Sequence, residues 1–201
     1  MKLLIYKHLG RINNNLYVII ENNEAILIDA PIGTVKIIEE LKGIKINSVL
    51  LTHGHPDHIT EAKKLQEKGI KIIANEKDST MMLLPWKFIL LKANPLHSDL
   101  EINDNENIKL GKITINAIHT PGHTNGGICY YIKEKNMIFT GDTLFKDTIG
   151  RTDLPGGNNK QLLNNIKEKL FTLPEKTIVY PGHGDKTTIG YEKKNNPFFN
   201  Q

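Results

Sequence analysis

Eight histidines occur in 201 residues, and three of them, His53, His55 and His58, fall within six positions of one another beside Asp57. They lie in the run Thr52-His53-Gly54-His55-Pro56-Asp57-His58. Two histidines spaced two apart on an extended or turning segment can aim both rings at one point. Imidazole and carboxylate together suit zinc, iron or manganese. One histidine in such a run would read as part of a solvated turn. Three with an aspartate, at the end of an apolar run, read as a metal site.

Further donors follow other apolar runs, in His119-Thr120-Pro121-Gly122-His123-Thr124, Gly141-Asp142-Thr143 and Pro181-Gly182-His183-Gly184. Each stands beside a small or turn-forming residue, which lets backbone and side chain close in on a crowded site. Donors at the ends of several strands are what a shared site requires. A metal site of this kind needs no serine or cysteine nucleophile. The single cysteine, Cys129, is expected to be a buried, inert thiol.

These donors need strands to present them. Leu16–Ile20 and Ala25–Asp29 are rich in β-branched and apolar residues, with Asn22-Asn23 as a hairpin turn between them. Thr34–Leu41 has apolar residues at helical spacing and stops before Gly43. Ile46–Leu51 predicts a buried strand, Ile59–Lys68 a helix closed by Gly69, and Ile70–Ala74 another strand. Later strands are expected over Ile108–Leu110, Ile113–His119, Gly127–Lys133, Met137–Thr140 and Thr177–Tyr180, with an amphipathic helix over Asn158–Leu170. The apolar cluster from Met81 to Leu90, broken by Pro85, reads as packing, as a cover over the substrate, or as a dimer contact. The tail Tyr191–Gln201 reads as loosely held. Two sheets with helices on their outer faces satisfy this order, within one domain spanning residues 1–201.

Hydrophobic residues at 39% and charged residues at 24% suit a folded core. The net charge of +4 is spread among acids, with no basic stripe interleaved with aromatics, so no nucleic-acid partner is expected. No run approaches the roughly 18 apolar residues of a membrane span. A lone cysteine and a short apolar N-terminal run fit a cytoplasmic protein.

The ordered set Thr-His-x-His-x-Asp-His, Pro-Gly-His-Thr, Gly-Asp and Gly-His-Gly, from about Ile46 to Gly184, resembles the metallo-β-lactamase superfamily. That resemblance implies an αββα sandwich of two mixed sheets flanked by helices. It also implies two divalent metal ions, zinc first, with iron or manganese accepting the same donors. His53, His55 and His123 would hold one ion; Asp57, His58 and His183 would hold the other; Asp142 would bridge both. His119 lies outside this set and is expected to support a ligand by a hydrogen bond or simply to pack. Two divalent ions with two carboxylates and a bridging hydroxide leave roughly one positive charge, enough to stabilise an oxyanion; Asp57 and Asp142 would be the catalytic carboxylates.

Gly141–Phe145, Gly150–Gly157 and Thr187–Phe198 look closest to the glyoxalase II-like branch, in a short form that lacks the helical glutathione-binding domain. The implied reaction is hydrolysis of a thioester such as S-lactoylglutathione, a small-molecule substrate, by a monomer or homodimer. Arg151 and Lys146 are candidate contacts to an anionic substrate. A mononuclear-iron persulfide dioxygenase, whose Gly-Arg-Thr-Asp segment is similar to Gly150–Asp153, is the rival enzyme. A non-catalytic metal-binding module is the rival from another class.

Overall fold

Consecutive residues of one strand reach two different cores. Tyr17 and Ile19 join one buried cluster, while Leu16 and Val18 join another. A strand alternates its side chains between faces, so a sheet buried on both faces is written as a continuous apolar run. The computed structural model, which describes residues 1–84 and 93–200, arranges such strands in two six-stranded sheets.

The first sheet runs in the order β1 (Lys2–Leu9), β2 (Asn14–Glu21), β3 (Glu24–Ile28), β4 (Lys45–Leu50), β5 (Lys71–Ala74) and β6 (Leu100–Glu101). The β1–β2–β3 pairings are antiparallel and the rest parallel. The second contains β7 (Asn107–Leu110), β8 (Ile113–His119), β9 (Ile128–Ile132), β10 (Met137–Gly141), β13 (Ile178–Pro181) and β14 (Thr187–Thr188). Its β10–β13 pair is parallel and its other pairs antiparallel. A small hairpin, β11 (Leu144–Phe145) with β12 (Thr148–Ile149), follows β10.

Between the sheets lie Tyr17, Ile26, Leu50, Ile115, Tyr130 and Phe139. On the outer face of the first sheet, Leu16, Leu27 and Val49 meet α1 (Thr34–Glu40), α2 (Pro56–Ile59), α3 (Ala62–Glu67) and α4 (Ser79–Leu83) through Ile37, Ile59, Leu65 and Met82. On the outer face of the second, Cys129, Ile138 and Val179 meet α5 (Asn159–Asn165) and α6 (Ile189–Asn195) through Leu162 and Ile189. The layers are helix, sheet, sheet, helix, as expected. Among the described residues no helix is long and apolar enough to cross a membrane.

Three elements depart from the sequence reading. The edge strand β1 falls where the sequence reading placed no element, and its residues are half-exposed or exposed. The expected helix from Ile59 to Lys68 is interrupted at Thr60 and Glu61, because Glu61 N donates to Ala30 O and Ala30 N to His58 O. The tail, expected to be loose, forms α6 as far as Asn195. Its Glu192 is fully buried and accepts from Thr187 Oγ1, Asp147 N and Asn196 Nδ2. The Asn22-Asn23 turn is as expected, both residues at positive φ (51° and 61°), which an antiparallel two-residue hairpin demands. Of the apolar Met81–Leu90 cluster, Met82 is buried against the first sheet; residues 85–92 lie outside the described residues.

Candidate metal centre

β4 delivers Leu51 and Thr52 to the sheet edge, and the chain then turns into α2 with Pro56 in its first turn. Proline suits that position because its missing N–H would have no helical partner. The turn places His53, His55, Asp57 and His58 together, all nearly fully buried. The loop after β8 adds His123, the end of β10 adds Asp142, and the loop after β13 adds His183. The seven expected residues therefore meet at one place. Their donor atoms fall into three groups, each within 4.8 Å: His53, His55 and His123; His53, His58 and Asp142; Asp57, His58 and His183.

Asp142 stands between the halves. Its Oδ2 is 3.7 Å from His123 Nε2 and 3.5 Å from His183 Nε2, and its Oδ1 is 3.3 Å from His58 Nε2. The approach needs glycine beside it. A Cβ on Gly182 would collide with Asp142 Oδ1 and come within 2.7 Å of His58 Cε1.

Four rings have their outer nitrogen held by an acceptor. His123 Nδ1 donates to Arg151 O (2.7 Å) and His183 Nδ1 to Ile12 O (3.0 Å). His58 Nδ1 donates to Asp29 Oδ2 (2.7 Å). Thr52 Oγ1 gives its only proton to Asp29, so at 3.1 Å it accepts from His53 Nδ1. With a proton fixed on Nδ1, each Nε2 faces the cluster and is the nitrogen that offers a metal its lone pair once any proton there is given up. The fit to a cation shows in the atoms the protein leaves unsatisfied. His53 Nε2 and Asp142 Oδ1 are buried without a hydrogen-bond partner, which a buried polar atom rarely tolerates.

Burial disfavours charge throughout, but the two halves resolve it differently. Burial and neighbouring imidazoles hold His53 well below its ordinary value and bring His55 down to about 3. At His58 burial is outweighed by Asp57, Asp142 and Asp29, which push it well above. At His183 burial is outweighed by hydrogen bonds to Asp142 and Asp57, which push it up to about 9. Burial raises Asp57 and Asp142, yet His58 and His183 hold both well below the carboxylate range.

The other sequence candidates fall at the edge. Arg151 makes an exposed bidentate pair with Asp153, at 2.8 and 2.7 Å, so its backbone carbonyl rather than its guanidinium touches the cluster. Lys146 is exposed. His119 supports no ligand ring: its Nε2 donates to Asn125 O, within the His123 loop. Cys129 is fully buried, and burial pushes its thiol up to about 11.

Sequence reasoning missed Asp29, Asn14 and Asp78. Asp29 accepts from Thr52 N (2.7 Å), Thr52 Oγ1 and His58 Nδ1. Asn14 Nδ2 donates to Asp57 Oδ2 (2.8 Å). Asp78 accepts from Gly54 N, Thr124 Oγ1 and Gly126 N. A polar residue at each end of an otherwise apolar strand was the available signal for Asn14 and Asp29. None existed for Asp78.

A family model described as the metallo-β-lactamase superfamily matches residues 9–183. The chain is 38% identical over 189 residues to hydroxyacylglutathione hydrolase GloC of Haemophilus influenzae, covering 90% of this chain and 89% of that one. The solved structure of BLEG-1, described as a B3 metallo-β-lactamase, is similar with a TM-score of 0.91 at 32% identity, covering 100% of each chain. That of TTHA1623 in a di-iron-bound form has a TM-score of 0.85 at 30% identity, covering 95% of this chain and 98% of that one.

Proposed function

We propose that this chain, which belongs to the metallo-β-lactamase superfamily, is a metallo-hydrolase that cleaves a thioester of a small thiol, S-lactoylglutathione being the first to try. The fold implies divalent metal ions, and the His/Asp cluster offers their donors. The observation that carries the reading is the pair of donor groups joined through Asp142. In this reading His53, His55 and His123 hold one ion, Asp57, His58 and His183 the other, and Asp142 both. Zinc is the first choice, and the same donors accept iron or manganese.

Two such ions would make hydroxide available near neutral pH and offset charge developing on an attacked carbonyl oxygen. The chain's own part is orientation. Arg151 O, Ile12 O, Asp29 and Thr52 keep the Nδ1 protons in place, so the Nε2 lone pairs face inward. Asn14 steadies Asp57. Arg151 and Lys146 are the cations proposed to meet an anionic substrate. Because Asp153 already shares the Arg151 guanidinium, Lys146 is the less committed. The name of the GloC relative supports the thioester substrate.

The test is metal quantification on the as-isolated chain, paired with turnover assays. Two ions per chain with S-lactoylglutathione hydrolysis is the expected result. One iron with oxygen uptake on glutathione persulfide would replace this reading with the dioxygenase. Preferential cleavage of a β-lactam would move the substrate class toward that of BLEG-1. Bound metal without turnover of any of these would leave a binding module.

A further inference from the structure

Asp78 belongs to none of the donor groups, yet it is 2% exposed and fully engaged. It ends the short turn Glu76–Asp78 ahead of α4. Its Oδ2 accepts from Gly54 N at 2.9 Å and Thr124 Oγ1 at 2.8 Å; its Oδ1 accepts from Gly126 N at 2.7 Å. Gly54 lies between His53 and His55, and Thr124 follows His123. One carboxylate thus ties the loop after β4 to the loop after β8. The contact is close: a Cβ on Gly126 would lie 2.7 Å from Asp78 Cγ, and one on Gly54 3.2 Å from Asp78 Cβ. Across the tied loops His55 Nδ1 and His123 Nε2 stand 2.8 Å apart.

The other donor group is held without Asp78. Asn14 holds Asp57, Asp29 holds His58 and Ile12 O holds His183. We propose that Asp78 is a positioning residue that sets the spacing of His55 and His123, and with it the metal affinity of the His53/His55/His123 position alone. The proposal rests on the reading that this group holds an ion.

Three donors need both carboxylate oxygens. An asparagine supplies one acceptor oxygen and turns an NH2 toward at least one remaining donor, so Asp78→Asn breaks the tie at nearly constant volume. Removing an outer support of a metal ligand weakens binding about 10- to 100-fold. The experiment titrates Zn2+ into the 201-residue chain against a competing chelator, with thermal unfolding of the metal-free protein as the folding control. It uses two backgrounds. In His183→Ala the intact triad is His53/His55/His123, and adding Asp78→Asn should weaken Zn2+ by that factor. In His55→Ala the intact triad is Asp57/His58/His183, and adding Asp78→Asn should change nothing.

A general structural role would weaken both backgrounds alike, and that result overturns the proposal, as does an unchanged His183→Ala background. If the unsubstituted chain holds one ion only, the two-ion reading fails separately. Asp78 is then judged by whether Asp78→Asn weakens that single ion, and an unchanged affinity overturns its role. If Asp78→Asn does not fold, Thr124→Val removes one of the three donors without changing shape. It should give a smaller loss in the same background, and no loss there overturns the proposal.

Discussion

Asp29→Asn separates the two jobs of one buried carboxylate. Asp29 has φ 65°, a left-handed conformation that asparagine also tolerates, so the backbone adds no cost. Asp29→Ala would strand Thr52 N, Thr52 Oγ1 and His58 Nδ1. At about 1–3 kcal/mol for each stranded donor, that approaches a whole domain's stability of about 5–15 kcal/mol. Asparagine is gentler. Its oxygen can take the Oδ1 place, where Thr52 N and Oγ1 both reach at 2.7 and 3.1 Å. The NH2 then faces His58 Nδ1, at the place where Oδ2 accepts at 2.7 Å. His58 can satisfy that donor only by moving its proton to Nε2, which removes the lone pair turned to the metal. The expected cost is about 10- to 100-fold in affinity at the Asp57/His58/His183 position, or about 1.4–2.8 kcal/mol. Chelator competition reads the affinity, and imidazole nitrogen shifts read the tautomer. Unchanged affinity at both positions, or a His58 that keeps its Nδ1 proton in the variant, would refute the reasoning.

Three further outcomes follow from the site. His55→Ala or Asp142→Ala should abolish thioester hydrolysis and lower metal content in a chain that still folds by circular dichroism; full activity in either would remove the site assignment. Binding of the ions should release about two protons, because His58 and His183 are held protonated by the carboxylates and ligands must give up their protons. Affinity should therefore rise with pH up to about 9, and calorimetry in buffers of different ionisation enthalpy checks it; pH-independent affinity would contradict this. Cys129, pushed up to about 11 by burial, should resist alkylation at pH 8 until the chain unfolds. Its contribution to stability is fully present below the ordinary thiol value and is lost as pH rises toward 11; rapid labelling of the native protein would show the burial to be wrong.

The donor set was legible because its spacing is local. His53, His55, Asp57 and His58 sit in one run, and His123, Asp142 and His183 each follow an apolar strand beside a glycine. The two sheets were legible because strands buried on both faces are written as unbroken apolar runs. What escaped depends on partners far along the chain. Asp78 works through Gly54 and Gly126, 24 and 48 residues away, and nothing near it in sequence announces them. The break after α2 arises from two backbone bonds to Ala30, which no helical periodicity encodes. Strand β1 is an edge strand with little to bury, so its pattern is weak. The tail is anchored by a buried Glu192 that reads as a solvated charge until Thr187, Asp147 and Asn196 surround it.

The hairpin end that holds His183 belongs to the first strands, whereas His183 belongs to the last. Asn15 N donates to Gly182 O, and Asn15 Nδ2 reaches Pro181 O and Gly184 O across 166 and 169 residues. The two donor groups therefore close over different spans of the chain. His53, His55 and His123 come from the middle of the chain, with Asp142 and Arg151 O following close behind, while Asp57 and His58 meet His183 only where the last strands reach the first. The Asp57/His58/His183 group is thus a clasp between the first and the last strands of the fold.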